Sequence, residues 1–247
     1  GGTLMSFQSN SSRYISKKML PLFITLTLLN GGIVAFAADA DRTVNGEVNG
    51  ADITGSTNFN QITVIDNNSA VVKDKNGKIT NITNSRDGGW DTILGANDQI
   101  ASTNVYESMG GNIINVAGND TITIHNLIGG SSRYEGDQSV RSESIINNII
   151  NIGNSGQSTG TLQAKVIAGG STNNSGQGKA YPFYNVLNLS GMTITGTSDT
   201  SRVKIYGGTV GLNDGALQGN VYSNVINLQD SVVLKNADVY GGETKVS

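Results

Sequence analysis

The sequence predicts an all-β chain, a right-handed parallel β-helix or β-solenoid, on three observations. Two short motifs alternate along the chain, the segments between them are rich in β-branched residues, and the composition is weighted toward turn formers. Gly occurs 33 times, Asn 30 times and Pro twice in 247 residues, and charged residues make up 14%, well below the share in ordinary globular domains. Gly and Asn tolerate left-handed backbone and so favour many turns. The recurrent Ile/Val clusters and low net charge oppose a wholly disordered chain.

The first motif is Asn-apolar-apolar-Asn-apolar, at Asn112 to Val116, Asn148 to Ile152, Asn185 to Leu189 and Asn224 to Leu228. The second is an apolar or aromatic pair followed by Gly-Gly: Leu127 to Gly130, Ile167 to Gly170, Ile205 to Gly208 and Val239 to Gly242. They interleave in strict order. Between them lie strand-like segments such as Thr121 to Ile124, Met192 to Thr195 and Ser231 to Leu234. Each repeat therefore holds two or more short strands, and its length varies in the turns, as at Asn154 to Gly160 and Ser171 to Gly178.

Stacked coils place equivalent strands about 4.8 Å apart. Period-two geometry then stacks Ile114, Ile150, Leu187 and Ile226 in one inward column and Val116, Ile152, Leu189 and Leu228 in another. Asn115, Asn151, Asn188 and Asn227 would face outward. Asn112, Asn148, Asn185 and Asn224 would sit at corners, where amide side chains satisfy turn backbone groups. A ligand-binding row of asparagines is the alternative. The Gly-Gly pairs fit corners that need positive φ or close approach of neighbouring coils. A phosphate cradle would instead require a following helix with Lys, which the pattern lacks. Tyr206 and Tyr240 look like a stacked pair.

Residues 38–108 are less regular and read as an N-terminal cap with degenerate first coils, at Ile62 to Ile65, Val71-Val72 and Ile93 to Gly95, before the repeats of 109–247. Residues 1–37 read as a secretory signal peptide. Arg13, Lys17 and Lys18 precede an apolar run from Met19 to Leu29, and Ala35-Phe36-Ala37 supplies the small-x-small cleavage pattern, with Ala38-Asp39-Ala40 as a second site. An uncleaved anchor is the alternative, opposed by Pro21, Asn30, Gly31 and Gly32. Cleavage after Ala37 leaves 13 of the 16 basic residues against 19 acidic, a net charge of −6, which disfavours nucleic acid as a partner. Cys is absent, so an exported protein of this sequence has neither disulfides nor thiolate metal sites. Gly at the first position and a repeat motif just before Ser247 lead us to expect a piece of a longer reading frame, with Met5 and Met19 as alternative starts.

No residue stands out as catalytic, cofactor-binding or metal-binding. The carboxylates Asp120, Glu135, Asp137, Glu143, Asp199, Asp214, Asp230 and Asp238 recur at no fixed place in the repeat, whereas a glycosidase needs two facing each other. His125 is the sole imidazole, so any Ser-His-Asp triad must use it, and no Ser lies in a nucleophile elbow. Trp90 fits packing on the first coils, with glycan contact as the alternative.

A signal peptide followed by a Cys-free solenoid with Asn-Val-Ile-Asn-Leu and Val-Tyr-Gly-Gly elements resembles the passenger domains of autotransporters, the type V secreted proteins of Gram-negative bacteria, over residues 14–247. That resemblance implies export through the Sec translocon and a C-terminal outer-membrane barrel. It also implies display at the cell surface or release outside the cell, and a role as adhesin or surface stalk, with a host-cell or matrix glycan or protein as partner. A second resemblance, at Gly118 to Ile122 and Gly95 to Ile100, is to the Ca²⁺-binding repeats of exported toxins, which need tandem nine-residue units that are missing here. The competing class is a secreted β-helix enzyme that degrades polysaccharides.

Overall fold

The computed structural model describes residues 39–98, 107–132, 142–154, 158–172, 179–210 and 218–244. The signal-peptide reading, Glu135, Asp137 and Asp214 lie outside them. The described chain is a parallel β-solenoid of about four turns with one five-residue helix. Each coil contributes to four sheets in a fixed order. In the coil that begins at Glu107 these are Glu107–Gly110, Ile113–Val116, Thr121–Ile128 and Ser131–Ser132. The next coil repeats them at Ser142–Ile146, Ile149–Ile152, Thr161–Gln163 with Val166–Ala168, and Ser171–Thr172. Ser171 and Thr172 thus belong to a strand rather than to the variable turn, and pair with Ser131 and Ser132.

The register follows the expected columns. Ile62, Ile114, Ile150, Leu187 and Ile226 are successive ladder partners, as are Val64, Val116, Ile152, Leu189 and Leu228. All but the two in the last coil are fully buried. Opposite them Ile122, Leu162 and Ile194 stack with Leu234, and Leu127 stacks with Ile93, Ile167 and Ile205. One continuous apolar cluster runs the length of the solenoid, each fully buried aliphatic side chain contributing about 1.5–3 kcal/mol.

The N-terminal end is closed by antiparallel pairing. Gln61–Val64 continues the ladder from Ile113–Val116, but Ser69–Lys73 and Ile79–Asn84 fold back on it as a meander. Val71 and Val72 therefore belong to an antiparallel strand and not to a degenerate coil, whereas Ile62 and Ile93 are in coil register. Ala40–Val44 then runs parallel to Ile79–Asn84 as the outermost strand. Its exposed Asp41 and Arg42 blunt this edge. The helix Gly50–Thr54 occupies a corner, capped by the Asn49 side chain and ended by Gly55 at φ 72°.

The last coil is different. Val225, Leu228, Val233 and Val239 are 44–53% exposed, and among the described residues no strand pairs with its outer edge.

Candidate functional site

The corner before the sheet of Ile113–Val116 holds an asparagine ladder. The side-chain oxygen of Asn148 accepts from the backbone N–H and the amide of Asn112, at 3.3 and 2.9 Å. Asn185 accepts likewise from Asn148 at 3.1 and 3.0 Å, and Asn224 from Asn185 at 3.0 and 2.9 Å. The amide also donates to a carbonyl near the end of a strand in the preceding coil, as Asn185 does to Ile145 and Asn224 to Pro182. A fifth member, Asn60, donates its backbone N–H to Asn112. Asn60 escapes a motif search because Gln61 replaces the first apolar residue of the repeat and Thr63 its second Asn. Asn112, Asn148 and Asn185 are fully buried, so these three present no amides to a ligand, and Asn224 at the end of the row is half-buried.

A second ladder lies on the outer face of the same sheet. Asn151 donates to Asn115, Asn188 to Asn151 and Asn227 to Asn188, at 2.8–2.9 Å. Asn115, expected to face outward, is 5% exposed, and the other three are half-buried.

The first glycine of three of the four Gly-Gly pairs packs against the asparagine row, whereas Gly241 in the last coil faces open space. A side-chain carbon on Gly129, Gly169 or Gly207 would overlap the carbonyl oxygen of the glycine in the next coil, and would lie 2.8–2.9 Å from Asn148, Asn185 or Asn224 Cβ. Close approach alone explains these glycines, since none has positive φ. The left-handed corner instead falls on the residue just before each ladder asparagine: Phe59, Gly111, Asn147, Tyr184 and Ser223 have φ between 54° and 69°.

His125 and Asp91, 34 residues apart, are ladder neighbours, with Nδ1 3.0 Å from Oδ1, and Arg86 lies 3.5 Å from the same carboxylate. No hydrogen bond joins a described serine to His125. Trp90 is fully buried and donates Nε1–H to the Asp66 carbonyl, so it packs the first coils. Asn119, in the first Ca²⁺-like segment, accepts from the Thr159 backbone instead. Among the described residues no group of three or more His, Asp or Glu side chains is placed to hold a metal ion.

Beside the sheet that contains Thr121–Ile128, Arg202 grips Asp238 through Nε, 2.9 and 3.0 Å from its two oxygens. The guanidinium holds the Asp238 carboxyl below the usual carboxylate range. Tyr206 stacks on Tyr240 with centroids 5.1 Å apart, and burial, aided by Glu243, pushes its phenol up.

No protein-family model matches the chain, no curated protein does, and no solved structure does.

Proposed function

We propose that the chain is an exported cell-surface protein, its solenoid serving as an autotransporter-passenger-like adhesin or stalk. The observation that carries this reading is the two asparagine ladders, which tie every coil to the next through side chains as well as backbone and so favour a rigid rod. Asp39 donates its N–H to the Ile79 carbonyl, and Ala40 is already in register with Thr80, so a cut after Ala37 leaves the strand whole while a cut after Ala40 shortens it.

Expression of the chain with its own N-terminus in a Gram-negative host tests this. The reading expects a mature N-terminus at Ala38, sensitivity of the protein to added protease once the outer membrane is permeabilised, and attachment of the purified protein to host cells or matrix without turnover of polysaccharide. Retention in the cytoplasm would refute export. Polysaccharide cleavage abolished by a carboxylate substitution would establish the enzyme in place of the adhesin.

A further inference from the structure

Three exposed aromatic side chains outside the last strands share one edge of the solenoid, between the sheet of Ser142–Ile146 and that of Ile149–Ile152. They are Phe59, Tyr184 and Tyr222, 63%, 53% and 45% exposed. Phe183 is stacked on Tyr222 with centroids 4.9 Å apart and planes at 7°. Tyr184 stands nearly perpendicular to both, at 73° and 79°. The three rings form an angular notch, one wall a pair of parallel rings and the other a single ring. Ile146 precedes Phe183 in the same outward column, and the Phe59 ring lies over Gly111 further along the edge.

Folding does not call for aromatics here. Phe59 and Tyr184 occupy the left-handed corner column, where a bulky side chain is strained and where Gly111 and Asn147 hold the same conformation at lower cost. Strained residues held by their surroundings concentrate at binding sites. The rings are exposed, so burial does not repay the strain.

We infer that this edge, and the notch of Phe183, Tyr184 and Tyr222 in particular, binds a neutral glycan. A pyranose ring offers an apolar C–H face that lies flat on an aromatic ring and a rim of hydroxyls that needs hydrogen-bond partners. The notch supplies both. Aromatic faces carry negative charge density that attracts the C–H face, and hydrogen-bonding groups come from the two phenol hydroxyls and from exposed Asn147 and Ser223, which share the corner column with Tyr184. None of the side chains in these two columns is charged, which selects a neutral sugar over an acidic one. A stable protein interface needs about 800 Å² on each side, whereas this notch is three rings wide. The edge runs along the solenoid axis, so a linear chain of several sugars follows it from the notch toward Phe59. This inference rests on the reading of the chain as a surface binding module and names the site within it.

The test compares the full chain with its Tyr184→Asn/Tyr222→Asn variant, using cellohexaose, maltohexaose and chitohexaose as probes in saturation-transfer NMR, and intact host cells before and after periodate oxidation. Asn suits the left-handed corner at 184, and an unchanged melting midpoint confirms that the variant folds. Saturation transfer from aromatic protons to the C–H protons of at least one hexasaccharide is expected, with affinity weakened at least tenfold in the variant and cell attachment lost after periodate. Failure to bind any of the three sugars, or equal binding by the variant, overturns the inference. Cell attachment that survives both periodate and the double substitution also overturns it, by indicating a protein receptor, and leaves the adhesion reading standing.

Discussion

Asn148 Oδ1 accepts two hydrogen bonds from Asn112, one from its backbone and one from its side chain, across 36 residues of sequence. The geometry is cooperative, because the amide that accepts from one coil donates to the next. Asn148→Ala would leave both Asn112 donors buried without an acceptor. At about 1–3 kcal/mol per orphaned donor, unfolding in denaturant should show a loss of roughly 2–6 kcal/mol. Asn227→Ala, at the half-buried end of the second ladder, should cost under about 1 kcal/mol. Equal losses at the two positions would show that the buried row is not special.

Glycine 169 tests the close approach of the coils. Its added methyl would meet the Gly207 carbonyl and Asn185 Cβ, both fixed by the ladders, so Gly169→Ala should destabilise by about 1–3 kcal/mol or more. The control is Gly118→Ala, where the nearest heavy atom to the added carbon is Ile122 Cδ1 at 3.4 Å, and the change should stay within about 0.5 kcal/mol. Thermal or chemical denaturation of the two variants decides the point.

What was legible in the sequence was the part governed by side-chain period. Ile114, Ile150, Leu187 and Ile226 fall into register because each sits at the same offset from a corner asparagine. The direction of a strand leaves no such mark. Ala70 and Val72 are buried at a spacing of two and Ile82 lies between polar residues, as in a coil strand, and only their pairing shows the meander. Proximity across coils was equally hidden, since the His125–Asp91 pair arises from a turn length of 34 residues and from no local motif. The aromatic corner had a readable signal, the residue just before each ladder asparagine, but its left-handed backbone came only from the structure.

Asp238 carries a pH dependence of defined sign. Arg202 lowers its folded-state value below 3.8, so its contribution to stability is present above that value and is lost as pH falls through the lower folded-state midpoint. Carboxyl NMR of Asp238 should titrate below 3.8 in the native chain and move up toward 3.8 in Arg202→Gln. No movement would show that the ion pair is not populated in solution.

The two ends of the solenoid should behave differently. The N-terminal edge carries Asp41 and Arg42, whereas the last coil exposes Val225 and Leu228 on an edge without charge from Val225 to Gln229. Such an edge is a template for further strands, so the purified chain should self-associate with rising concentration. Leu228→Lys should suppress this in analytical ultracentrifugation. Association undiminished in Leu228→Lys would show that this edge does not carry it.

Stacking in register is most directly measured as distance against coil number. The chain lacks Cys, so spin labels can be placed on cysteines substituted for Thr121, Thr161, Thr193 and Val233, one outward column in four successive coils. Dipolar EPR of Thr121 paired with each of the others should give separations that rise in even steps of about 4.8 Å. Separations that do not grow with coil number, or that exceed this spacing between neighbours by a wide margin, would contradict the solenoid.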